Sequence, residues 1–377
     1  MVAPVMTSTG AGPELYFDGD DESRARGLYQ LLREDGALVA EVPWLDRALA
    51  RRLYDGMLTI RVTDTRMMAL QRQGRIGFYG GAEGQEAAVV GSAAASLPDD
   101  WVIPALREWG VGHFRGMTLD SFIAQIFGNA ADPSKGRQMP CHPCDRASNY
   151  VVMSSCVSTQ IPHAVGVAMG MKILGHDDRC AFGYMGDGGT SEGDFHVAIN
   201  FAGVTRAPVV LICQNNQWAI STPGMGQTAA DTIALKALGY GVPPMRVDGN
   251  DVLAVFDATS RAAARARSGG GPTFMELLTY RVSAHSSSDD PTRYRDESVT
   301  EVWKTRKDPL RRMRTLLEQH GWLAPGESDE LAATIEARVR EAITRQEQIG
   351  PPPKASLFED VFESPTWLLD EQARETR

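Results

Sequence analysis

The stretch Ala181-Phe182-Gly183-Tyr184-Met185-Gly186-Asp187-Gly188-Gly189 decides the fold of this chain. Ala181 to Met185 reads as a short strand buried on both faces. The glycines after it break that strand with residues that tolerate φ > 0 and close backbone approach. From Ser191 to Phe201 a polar, Glu-containing start leads into Phe195, Val197, Ala198, Ile199 and Phe201. That pattern predicts a helix whose N-terminus points back at the glycine loop. Val209 to Cys213 is a second continuous apolar run, read as a parallel strand, and it leads into Gln214-Asn215-Asn216-Gln217-Trp218-Ala219-Ile220. Asp187 and Asn216 thus stand at the carboxyl ends of two parallel strands, where open α/β sheets bind their ligands.

These residue types suit a metal-held diphosphate. The anion can lie against the main chain of Gly186 to Gly189, facing the unpaired N–H groups of the helix start. Magnesium takes hard oxygen ligands in octahedral geometry, and Asp187, Asn216 and the carbonyl of Trp218 supply such a set. Two ordinary turns are the plain alternative, but both halves with a strand and helix between them favour the site. Rival phosphate motifs are missing: there is no G-x-x-x-x-G-K-[ST], and Ser191 stands where G-x-G-x-x-G needs its third glycine.

The 377 residues suffice for a large buried core, and 43% hydrophobic with 23% charged residues is an ordinary globular composition. A net charge of −10 argues against a nucleic-acid partner, which needs a basic patch. The most apolar stretch, Ile161 to Leu174, is shorter than the roughly 18 residues a membrane crossing requires. Its Gly166 and Gly170 predict a buried helix packed closely on a neighbour and capped by Gly175. Five cysteines form no even framework, which favours a reduced, cytoplasmic setting. Cys141-His142-Pro143-Cys144 lacks a second C-x-x-C or a thioredoxin-like context and reads as a loop with two free thiols.

Along the chain, Met1 to Tyr16 is rich in Gly, Pro, Ser and Thr and is expected to be a disordered arm without a signal peptide. Asp46 opens a helix with Leu53, Met57, Ile60 and Met67 on one face, closed by Gly74. A second helix is expected from Ala82. Strand, helix and strand recur through Met245 to Val247, Val252 to Arg267 and Phe274 to Thr279, the rhythm of a parallel sheet covered on both faces. Ser283 to Glu297 is a long polar loop, helices follow from Val299 to Gln348, and Leu357 to Phe362 is a short apolar patch expected to dock. The expected fold is α/β, a three-layer α/β/α parallel-sheet domain over 46–298, with a partly disordered arm over 1–45 and a helical extension with docking tail over 299–377.

With these residues in hand, the chain resembles the alpha subunit of the thiamine diphosphate-dependent decarboxylase of 2-oxo acid dehydrogenase complexes, nearest the branched-chain type. The likeness runs from about Tyr54 to Phe362 and rests on an ordered series. It comprises Arg75-Ile76-Gly77-Phe78-Tyr79, Lys135-Gly136-Arg137-Gln138-Met139-Pro140, Thr159-Gln160-Ile161-Pro162, Gly186 to Asp194, Asn215 to Thr222, Arg246 to Asp251 and Thr279-Tyr280-Arg281.

The resemblance implies that Asp187, Asn216 and the Trp218 carbonyl hold magnesium and that Gly186, Gly188, Gly189 and Ile220 line thiamine diphosphate. It implies that Arg107 pairs with the diphosphate, that Ser155 and Val157 touch the cofactor, and that Ser154, Thr159 and Gln160 form a potassium site. His285 would face the thiazolium and carry a proton for the substrate, with a near-neutral pKa suited to the task; the other histidines read as structural or surface residues. Ser286 matches the position where phosphorylation inactivates the family. Four departures stand out: Leu106 for Tyr, Ala284 for a second His, Gln214 for a basic residue and Cys156 for Pro. The resemblance also implies a beta subunit carrying the activating glutamate, an α2β2 assembly, and a lipoyl acyltransferase that accepts the acyl group. Alternatives are a pyruvate or acetoin dehydrogenase alpha subunit and, from another class, a non-catalytic phosphate-binding module.

Overall fold

The computed structural model describes residues 13–376. Its centre is a five-stranded, all-parallel sheet built from β1 (Trp101–Ile103), β2 (Ala181–Gly186), β3 (Val209–Asn215), β6 (Pro244–Asp248) and β7 (Thr273–Leu278). A ribbon of β4 (Trp218–Ala219) and β5 (Thr222–Pro223) stands apart. The order in the sheet is β1-β2-β3-β7-β6. The chain steps outward from β1 to β3, jumps to the far edge and returns, so the direction of winding reverses between β3 and β7. Right-handed crossovers then force helices onto opposite faces on either side of that point. The helices Gln160–Ile173 and Gly193–Thr205 pack together on one face, and Glu86–Ala94 with Val252–Arg267 on the other. The crevice at such a reversal is where this architecture binds ligands.

The strands alternate between two cores, as pleating requires. Phe182, Tyr184, Val210, Ile212, Met275 and Leu277 face one, while Ala181, Met185, Val209, Leu211, Cys213 and Phe274 face the other. Gly183 is required by close approach, because a Cβ there would lie 2.6 Å from the Ala164 methyl of the overlying helix.

Several boundaries differ from the sequence reading. The helix after the glycine loop begins at Gly193, since Asp187–Ser191 first turn as a 3₁₀ segment. The helix expected from Ala82 begins at Glu86, because Gly84 sits at φ +93° and Ala82 donates its N–H to Asp64 instead of entering a helix. Gly166 and Gly170 do not pack on a neighbour: a Cβ at either meets nothing within 4 Å. The buried side of that helix is Ile161, Ala164, Val165, Ala168 and Met171, which places the glycines on the opposite side.

Of the expected disordered arm, Met1 to Gly12 lie outside the described residues, whereas Pro13–Asp18 are helical and Tyr16 is buried. Tyr29 bridges Val247 beside the β6 edge, and the Asp251 carboxylate accepts the Leu31 and Leu32 N–H groups at 2.6 Å each. Nor does 298/299 divide the core. Pro309–Gln319 and Glu327–Glu347 bury Leu316, Leu317, Val339 and Ile343 in the same cluster as Leu53 and Met57 of the helix Arg47–Arg72, whose N-cap is Asp46 as expected. In the tail, Lys135 Nζ meets Glu359 at 2.8 Å and Arg137 donates to the Glu359 carbonyl at 2.7 Å, while Leu357, Val361 and Phe362 are exposed on this chain. No helix among the described residues is long and apolar enough to cross a membrane.

Candidate active site

Three strand ends bring the expected residues together. Asp187 follows β2, Asn216 follows β3, and Thr279 to His285 follow β7. In the register, Gly186 of β2 lies beside Gln214 of β3, and Asn215 lies beside Leu278 of β7.

Asp187 is buried and makes no ion pair, and its Oδ2 accepts from Gln227 Nε2 at 2.8 Å. Burial raises its carboxyl above the usual range, with the Gln227 hydrogen bond opposing. Asn216 donates Nδ2 to Gln85 Oε1 at 3.0 Å and accepts the Trp218 N–H at 3.2 Å. Gln217 and Ile220 adopt φ +70° and +54°, a reversal that turns the Trp218 carbonyl. Arg281 donates to that carbonyl at 3.4 Å and to the Ile220 carbonyl at 2.7 Å. The loops approach so closely at Gly188 that a Cβ there would lie 2.6 Å from the Ala219 Cβ.

These features fit a cation with an anionic group above it. A desolvated carboxylate lacks a counter-ion, and Gln85 Nε2, Gln227 Oε1 and Gln160 Oε1 are buried without partners. Buried polar atoms ordinarily find partners, so the orphans on Gln85 and Gln227, whose other amide atoms bond Asn216 and Asp187, point to a missing polar group.

The segment from Ser154 to Gln160 borders the same rim. Ser158 Oγ donates to the Gly189 carbonyl at 2.9 Å, which ties the two loops together. Ser155 and Val157 are exposed, and Ser154 reaches only the Cys156 carbonyl at 3.4 Å. Thr159 and Gln160 begin the following helix.

His285 is half-buried, and its N–H donates to Asp289 Oδ2 at 2.7 Å. Its pKa is not near-neutral: burial first, then the Arg107 and Arg281 charges, lower it to about 4. Imidazole is therefore the neutral form at physiological pH. Arg107 Nη2 donates to the His285 carbonyl at 2.8 Å and lies 3.4 Å from Nδ1. A guanidinium only donates, so Nδ1 is the acceptor and the imidazole proton sits on Nε2. Arg107 is buried and bonded to the Gly81 and His285 carbonyls. Ser286 is also buried.

Sequence reasoning passed over several members of this site. His142, read as structural, is buried and lies 2.5 Å from Ser155 Oγ through Nε2. Gln85 and Gln227 left no local signal, because nothing nearby in sequence places them against Asn216 and Asp187. Asp64 did leave one: it interrupts the apolar stripe of Met57, Ile60 and Met67. Cys141 and Cys144 are free thiols in a loop, as expected, with Cys141 buried, and all five cysteines are unpaired.

Residues 54–354 match the model of the dehydrogenase E1 component family. The chain belongs to that family, whose members are thiamine diphosphate-dependent enzymes. Among its relatives is 2-oxoisovalerate dehydrogenase subunit alpha 2, mitochondrial, of Arabidopsis thaliana, 41% identical over 362 residues that span 96% of this chain and 76% of that protein. The corresponding alpha subunits are 41% identical in Dictyostelium discoideum (86% of this chain, 74% of that protein) and 38% identical in Homo sapiens (92% and 78%). All three are named as mitochondrial, and this finding overturns the expectation of a cytoplasmic protein.

Proposed function

We propose that the chain is the alpha subunit of a branched-chain 2-oxo acid dehydrogenase E1 component, working with a beta subunit in an α2β2 assembly and passing an acyl group to the lipoyl group of an acyltransferase. The observation that carries the reading is the convergence of Asp187, Asn216, the Trp218 carbonyl and His285 at one sheet reversal, in a chain about 40% identical to 2-oxoisovalerate dehydrogenase alpha subunits.

In this reading Asp187, Asn216 and the Trp218 carbonyl hold magnesium, and Gly186, Gly188, Gly189, Ile220, Ser155 and Val157 line the diphosphate side. Ser154, Thr159 and Gln160 hold potassium, for which the unpartnered Gln160 Oε1 is a suitable donor. Thiamine diphosphate, when bound, supplies the electron sink that decarboxylation of a 2-oxo acid needs. His285 presents its Nε2 proton to the substrate oxygen, and burial, with the Arg107 and Arg281 charges, keeps the ring from taking a second proton and becoming an imidazolium. Exposed Val157, Ile220 and Met225 on the rim suit coverage by the beta subunit, which would exclude water.

Reconstitution tests the proposal. The complex with a beta subunit should turn over 2-oxoisovalerate faster than pyruvate and require both thiamine diphosphate and magnesium, while the chain alone should be inactive. A preference for pyruvate would overturn the substrate, and turnover by the chain alone would overturn the partner.

A further inference from the structure

We propose that Asp64 is a positioning residue for His285: its carboxylate fixes residues 79–82, and that segment in turn clamps the loop carrying the histidine. For the role of His285 the proposal rests on the functional reading above; the clamp itself does not.

Asp64 lies on the buried face of the helix Arg47–Arg72, far from the strand ends in sequence. Its Oδ1 accepts the Tyr79 hydroxyl at 2.6 Å and the Trp109 Nε1–H at 3.1 Å, and its Oδ2 accepts the Ala82 N–H at 2.5 Å. A Cβ on Gly81 would lie 3.2 Å from Oδ2, so the segment rests directly on the carboxylate. Burial raises the acid to about 6, so it is ionised at neutral pH and these hydrogen bonds are charge-assisted.

The segment held this way grips the histidine loop at three points. Tyr79 donates its N–H to Ser287 Oγ at 3.1 Å, and its carbonyl accepts the Ser287 N–H at 2.8 Å. The Glu83 carbonyl, next along the chain, accepts the Val282 N–H at 3.2 Å. The Gly81 carbonyl takes one arm of Arg107, whose other arm donates to the His285 carbonyl. His285 is thus bracketed by Val282 and Ser287 on one chain segment and by Arg107 on another. Both routes return to Asp64. Removing its charge frees the segment that sets where the ring stands, without touching Asp187, Asn216 or Trp218.

The test is Asp64→Asn in the reconstituted complex, by hydrogen exchange without substrate and by steady-state kinetics. The isosteric amide leaves one of the three donors facing an NH₂ group. Exchange at residues 282–287 should rise at least about tenfold above any global change. The kcat should fall roughly 10- to 100-fold, as a displacement of order 1 Å at a reacting group costs, with thiamine diphosphate affinity unchanged within about threefold. If Asp64→Asn does not assemble, Tyr79→Phe removes a single donor and should give the same pattern at smaller size. Unchanged exchange at 282–287 in the variant that assembles, or protection lost evenly across the chain, overturns the clamp. A wild-type complex that turns over no 2-oxo acid defeats the functional reading instead, while the exchange result still decides the clamp.

Discussion

Replacing Glu108 by Gln should make the chain more stable at alkaline than at acid pH relative to wild type. Glu108 is buried; Oε2 accepts the Arg107 N–H at 3.1 Å and Oε1 accepts from Gln214 Nε2. Burial is the largest influence on its acid, opposed by the Arg107 hydrogen bond, and lifts it from 4.5 to about 7. A carboxyl raised by folding binds more protons folded than unfolded between those two values, so stability falls as pH rises through the window. That lift corresponds to roughly 3 kcal/mol across it. The Gln variant has no such loss. It can also keep both hydrogen bonds, because Gln214 Oε1 is buried without a partner and a flipped Gln214 amide would accept from the new NH₂. Urea denaturation of the cofactor-free chain at about pH 5 and about pH 8 should therefore show the variant gaining roughly 2 to 3 kcal/mol on wild type between the two. A difference that stays constant with pH would refute the reasoning, and one of opposite sign would mean that Arg107 holds Glu108 ionised more strongly than burial opposes it.

Two further outcomes follow from the geometry. Asp187→Ala should abolish magnesium-dependent thiamine diphosphate binding in calorimetry while leaving the melting profile of the cofactor-free protein close to wild type, since burial already disfavours this carboxylate; unchanged affinity would remove Asp187 from the metal site. Gly188→Ala should cost about 1 to 3 kcal/mol in denaturant unfolding, because the new methyl meets the Ala219 Cβ at 2.6 Å and two backbone loops must part; a cost within about 0.5 kcal/mol would mean that the loops separate freely.

The candidate site was partly legible in sequence. Asp187 and Asn216 could be found because each closes an apolar strand, and strand ends in a parallel sheet converge whatever the intervening chain does. His285 could be found only through resemblance, since a polar loop carries no periodicity. Its lowered pKa was not legible, because it comes first from burial and then from charges that include Arg107 on another segment. The supports for Asp187 and Asn216 escaped notice for the same reason: Gln227 and Gln85 are separated from them by 40 and 131 positions.

What the sequence by itself determined is what neighbouring residues decide: two-face burial along β2 and β3, the Asp46 cap, and the strand break at Gly186 to Gly189. Hydrophobic period, capping chemistry and backbone sterics act within a turn or a strand and can be read without the fold. Only the tertiary structure decided which side of the helix Gln160–Ile173 is buried, since glycine and alanine line its surface and leave almost no amphipathic contrast to read. It alone likewise turned Arg107 toward the Gly81 and His285 carbonyls and set Asp64 beneath residues 79–82. Those are contacts between distant segments, and their geometry exists only once the sheet and its helices have packed.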